Sequence, residues 1–143
     1  MTRVGAAALI AALMMSVGCD DSPTSPDAAT TTTTTSSVVF EGTLAMNGSA
    51  FYSFNISQAG IVSTNLASLV LVGHREALTV PVRIGVGIPK GEGCALAQST
   101  DVAPALIAQL NAPLSSTGIY CVGISDIGAL TASAVFSIRF SHP

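Results

Sequence analysis

Thr79-Val80-Pro81-Val82-Arg83-Ile84-Gly85-Val86-Gly87-Ile88 alternates without a break, with the aliphatic residues on one parity and Thr79, Pro81, Arg83, Gly85 and Gly87 on the other. Successive side chains of a strand point to opposite faces, so this period predicts a strand with one buried face. Pro81 has no N–H for a ladder and fits the start or edge of that strand. Ala134, Phe136, Ile138 and Phe140 alternate in the same way with Ser133, Val135, Ser137 and Arg139, which reads as the closing strand. Tyr52, Phe54 and Ile56 share a face opposite Phe51, Ser53 and Asn55, and Tyr120, Val122 and Ile124 share one within residues 119–125. Residues 38–45, 61–72 and 106–110 bring the candidate strands to seven. Turn signals separate them at Asn47-Gly48, Gln58-Ala59-Gly60, Pro89-Lys90-Gly91 and Thr117-Gly118. Short strands at this spacing, without an amphipathic helix, predict an all-β domain: a single antiparallel, jelly-roll-like β-sandwich over residues 38–143.

The chain is 49% hydrophobic and only 9% charged, so the solvated faces of the sandwich must be mostly Ser, Thr, Asn and Gln. Within the domain the bases Arg75, Arg83, Lys90 and Arg139 nearly balance the acids Glu41, Glu76, Glu92, Asp101 and Asp126. Nothing in that balance forms an electrostatic footprint for nucleic acid or anionic lipid, and neither is an expected partner.

Upstream of the domain, Arg3 precedes an uncharged run at residues 4–17 rich in Ala, Leu, Ile and Met. A run of 14 residues suits the apolar part of an export signal and falls short of the ~20 needed to span a bilayer. The ending Ser16-Val17-Gly18-Cys19 resembles the lipobox of bacterial lipoproteins, with Ser16 where Leu is usual. That resemblance implies a signal peptide over residues 1–18 and acyl chains on Cys19, making it the mature N-terminus. Two or more chains are needed for a stable anchor. An ordinary secretory signal would leave Cys19 incidental. Residues 20–37 hold Asp, Ser, Pro, Ala and six consecutive Thr but no large apolar side chain, which predicts a disordered tether. A flexible chain of that length has an r.m.s. span of roughly 25 Å. The expected address is the cell envelope, lipid-anchored and facing the periplasm or the exterior, with Asp20 leaving inner and outer membrane open.

With Cys19 lipidated, one pairing of the remaining cysteines is left, Cys94 with Cys121. In an exported domain such a pair is expected as a disulfide. No further ligands lie close in sequence for a metal, and a redox site would favour Cys-x-x-Cys.

Phe40-Glu41-Gly42-Thr43-Leu44, Phe51-Tyr52-Ser53-Phe54-Asn55-Ile56 and Gly60-Ile61-Val62 resemble the opening of bacterial pre-peptidase C-terminal-type β-sandwich domains. Gly118-Ile119-Tyr120-Cys121-Val122 and the closing strand at residues 134–140 resemble that family's "Gly-x-Tyr-x-Val" segment and last strand. The matches cover about half of the domain. Domains of that family accompany secreted peptidases as non-catalytic appendages, so the resemblance implies a β-sandwich without catalysis of its own.

Candidate chemistry is sparse. Gly123-Ile124-Ser125-Asp126-Ile127-Gly128 approaches a nucleophile elbow, which would need Gly at position 127. Ser125 is expected to end a strand, with Asp126 and Gly128 in the turn. Gly85-x-Gly87 and Gly91-x-Gly93 match no phosphate-loop spacing. His74-Arg75-Glu76 reads as a solvated loop, and His142 lies at an end expected to fray. Asp101 and Asp126 are too few for calcium, which takes six to eight oxygens. Tyr52 and Tyr120 sit on apolar strand faces, leaving no aromatic platform for sugar. The expectation is a non-catalytic binding or structural module with no cofactor, no metal and no catalytic residue. Its expected contacts are the membrane, through the N-terminal lipid, and an envelope protein or polymer. The alternative is an accessory domain or minor hydrolase of the envelope.

Overall fold

Residues 34–143 are described by a computed structural model, and residues 1–33, with the signal-like run, Cys19 and most of the expected tether, lie outside the described residues. The described residues form eight strands: β1 (Ser36–Leu44), β2 (Ser49–Ile56), β3 (Gly60–Leu71), β4 (Val82–Lys90), β5 (Gly93–Val102), β6 (Leu110–Leu114), β7 (Gly118–Ser125) and β8 (Ala134–His142). They build two antiparallel four-stranded sheets, β1-β8-β3-β6 and β2-β7-β4-β5. The pairs β4–β5, β3–β6, β2–β7 and β1–β8 together make one long antiparallel ribbon. It doubles back at Gly91-Glu92, where Gly91 takes φ 59° in a two-residue turn. Winding that ribbon brings β8 beside β3 and β7 beside β4, a jelly-roll arrangement.

The inward parities of both sheets supply the core. Leu44, Val62, Leu66, Phe136, Ile138 and Phe140 from the first sheet meet Phe54, Ile56, Val82, Ile84, Val86, Val122 and Ile124 from the second. An aromatic chain runs through one side of this core. Phe136 packs edge-on to Phe40 with centroids 5.0 Å apart. Phe40 reaches Tyr52 at 5.8 Å, Tyr52 reaches Phe140 at 5.9 Å, and Phe140 reaches Phe54 at 4.9 Å. Such pairs add to the area they bury because ring edge and ring face carry opposite partial charge.

Eight strands, not seven, are present, because β5 was not anticipated. Its sequence, Gly-Cys-Ala-Leu-Ala-Gln-Ser-Thr-Asp-Val, alternates small and polar residues rather than apolar ones. The strand expected at residues 106–110 is a loop, and β6 starts where it was to end. Pro113 sits on β6, an edge strand, where a missing N–H is tolerated. β1 begins at Ser36, paired with His142, two residues inside the expected tether. His142 is therefore not frayed: its ring lies 5.2 Å from that of Phe54. Ile88 shares the sequence parity of Val82, Ile84 and Val86 but is not buried with them. The register shifts after Val86, with Ala97 of β5 as the extra residue of a bulge, and Ile88 beyond it is 58% exposed.

Candidate functional site

Two shallow depressions mark the outer faces of the sheets, each of about 130 Å³. The first lies on β2-β7-β4-β5 and is lined by Ser49, Phe51, Cys94, Leu96, Gly123 and Ser125, among others. Its floor follows from close backbone approach. A Cβ at Gly85 would lie 2.6 Å from the Gln98 carbonyl oxygen and 2.8 Å from Cδ1 of Leu96, and one at Gly87 would run into the Ala95 backbone. β5 thus folds over the glycines of β4, and Leu96 reaches the Gly123 position on β7. The Cys94–Cys121 disulfide, with Cα atoms 5.9 Å apart, ties β5 to β7 across β4. Cys121 is fully buried. No charged side chain lines this depression.

The second depression lies on β1-β8-β3-β6 and is lined by Ser37, Ser63, Asn65, Ala108, Arg139, Phe140 and Ser141. It abuts the loop at residues 103–109, which covers the edge of β3 where β6 stops. Gln109 is the keystone of that loop. Its Nε2 donates to the Ala103 carbonyl at 2.6 Å, and its Oε1 accepts from the Leu66 amide at 2.8 Å. Asn65 Nδ2 donates to the Ala105 carbonyl at 2.7 Å, while the Ala105 and Gln109 amides donate to the carbonyls of Leu66 and Thr64. These bonds satisfy backbone groups of β3 that would otherwise lie open at a sheet edge. At the apex, Leu106 is 85% exposed and Ile107 76%.

The ionisable residues lie apart from the first depression or serve the backbone. Asp126 follows β7, as the sequence predicts. Its Oδ1 accepts from the amides of Gly128, Ala129 and Leu130, and its Oδ2 from the Asn47 amide at 2.8 Å. Asn47 takes φ 54°, so one carboxylate fastens the β1–β2 turn to the loop before β8. The Asn47 amide above all, helped by the other three, holds the Asp126 carboxyl below the usual carboxylate range, against a desolvation effect that raises it. Asp101 accepts a two-pronged bond from Arg83, at 2.7 and 2.9 Å. That bond is the main cause lowering its carboxyl and raising the guanidinium.

Asp101 and Asp126 thus commit their carboxylates to Arg83 and to backbone amides respectively. His74, Arg75 and Glu76 are exposed in the loop after β3. Tyr120 is turned toward Phe54, with its hydroxyl donating to the Ser116 carbonyl. Among the described residues no three His, Cys, Asp or Glu side chains gather as metal ligands. Sequence reasoning missed the Gln109–Asn65 network and the Leu106-Ile107 apex. The signal was Leu-Ile as neighbours rather than in alternation, after Ala103-Pro104-Ala105. No protein-family model matches the chain, and no curated protein matches it.

Proposed function

We propose that this chain is a lipid-anchored protein of the bacterial cell envelope. Its β-sandwich binds an envelope protein or polymer without catalysis of its own. The observation that carries this reading is that depressions and titratable groups do not coincide. The depression on β2-β7-β4-β5 is lined only by neutral residues, and the other holds Arg139 as its one charged group. Acid–base chemistry needs a titratable side chain within hydrogen-bond reach of its target. A depression of about 130 Å³ is also well below the ~300–1,000 Å³ of pockets that enclose small molecules. It suits a side chain or polymer unit laid on a neutral sheet face. The anchor rests on Gly18-Cys19 closing the apolar run, and residues 20–35 serve as tether.

Mass spectrometry of the mature protein tests the anchor: an acylated N-terminal Cys19 is expected, and an unmodified soluble one rejects it. Crosslinking in intact cells from a photoreactive group at Phe51 is expected to capture an envelope component. Purified domain that turns over a substrate, with activity lost in folded His74→Ala or Asp126→Ala protein, would overturn the non-catalytic reading.

A further inference from the structure

We propose that the Leu106-Ile107 apex is a second, non-covalent membrane contact that seats the domain on the bilayer holding its N-terminal lipid. The inference rests on the anchor reading above. Leu106 and Ile107 are the most exposed large apolar side chains of the described residues, at 85% and 76%. They are not an untethered tip, since the Gln109 and Asn65 bonds fix the loop to β3. An apolar pair held rigidly in water has no side chain of its own domain to pack on, and an interface of lipid headgroups and acyl chains accepts it.

The position of the loop selects the bilayer as its occupant. Ser37, one residue into β1, and Ala108 of the loop line the same depression. The chain from Cys19 therefore enters the domain beside the apex. Read as the tether proposed above, residues 20–35 would have an r.m.s. span of about 22 Å, short enough to keep the start of β1 near a bilayer that holds Cys19. Two side chains bind a bilayer weakly when free, but attachment turns contact into an intramolecular step at high effective concentration. The strand register extends the surface. Val39, half exposed, pairs with Arg139, which pairs with Asn65, which bonds Ala105 of the loop. Arg139 is the one charged group lining the depression. A protein partner would need far more than this dipeptide to reach a stable interface area.

The chain contains no Trp, so Leu106→Trp is a clean reporter. Full-length mature protein is placed in vesicles of phosphatidylethanolamine and phosphatidylglycerol, with or without brominated acyl chains. Ile119→Trp, 64% exposed on β7 of the other sheet, serves as the reference. The expected result is a blue shift and loss of emission to bromolipid for Leu106→Trp and neither for Ile119→Trp. Emission of Leu106→Trp that ignores the bilayer, or that shifts only when envelope proteins are added, overturns the proposal. The anchor is judged separately by the mass of the Cys19 peptide. If Cys19 proves unacylated, it is the one thiol outside the disulfide and is coupled to a maleimide lipid. The same two fluorescence outcomes then decide the apex alone.

Discussion

The outer faces of the two sheets are built on opposite rules. On β1-β8-β3-β6 it is open and largely polar: Ser37, Ser141, Ser63 and Asn111 stand in one row across four strands, with Ser63 donating to Asn111 at 2.7 Å. On β2-β7-β4-β5 the outward positions Gly85, Gly87, Cys121 and Gly123 are buried, because β5 folds over them and is bonded to β7. One sheet leaves its outer face uncovered by the domain, whereas the other uses part of both faces for packing. A glycine on the polar parity of a strand therefore marks where another backbone passes.

The largest effect expected is that of Gly87→Ala. A methyl group there meets Ala95 backbone, which has no flexible end to yield. Overpacking costs ~1–3 kcal/mol and occasionally more, and here the upper end or loss of folding is expected in denaturant melts. Ser137→Ala, on the solvated face of β8, should stay within ~0.5 kcal/mol. Equal losses at the two positions would erase the contrast between the sheets.

Removing the staple comes next. The Cys94–Cys121 bond closes a separation of 27 residues, for which chain entropy gives about 3.5 kcal/mol. Cys94→Ser with Cys121→Ser should lower the unfolding free energy by ~2–5 kcal/mol. Hydrogen exchange should rise first in β5, with β1 and β8 following only on global unfolding.

Asp126 joins corners at which the chain passes between the sheets. Its folded carboxyl titrates below its unfolded value, so its contribution is complete above the unfolded pKa and is lost as pH falls through the folded one. Stability should accordingly decline on acidification below about pH 4, and Asp126→Asn should flatten that decline while lowering stability at neutral pH. A pH profile unchanged by the substitution would remove the carboxylate from this role.

A change of opposite sign is expected at Thr64, in the first sheet. Its hydroxyl oxygen is fully buried without a hydrogen-bond partner. Thr64→Val keeps the shape and deletes the unmet group, so a gain of about 1 kcal/mol is expected from equilibrium denaturation. A loss would mean that the oxygen has a partner in solution.

Strand period was legible wherever one face is wet. β8 shows this best, since Ala134, Phe136, Ile138 and Phe140 are buried between exposed or half-buried neighbours. The same period failed for β5, whose inward pressure falls on glycines and a disulfide rather than on aliphatic side chains. The cysteine pair was readable by arithmetic. Leu106 and Ile107 misled because apolarity was taken to mean burial, and that rule runs one way only. The ribbon order was not readable at all. Pairing β1 with β8 joins positions a hundred residues apart, and local sequence carries no mark of that choice.

That order sets a timetable. β8 follows every other described strand in the chain, yet it stands between β1 and β3 in the middle of its sheet. Until residues 134–142 leave the ribosome, β1 has no neighbour and Leu66 and Leu69 have no Phe136 or Ile138 to pack on. The hairpin of β4 and β5 is the first pairing to complete, and β3–β6, β2–β7 and β4–β7 follow it before β8. The first sheet thus closes only once residues 134–142 are made, after every strand of the second sheet is already present.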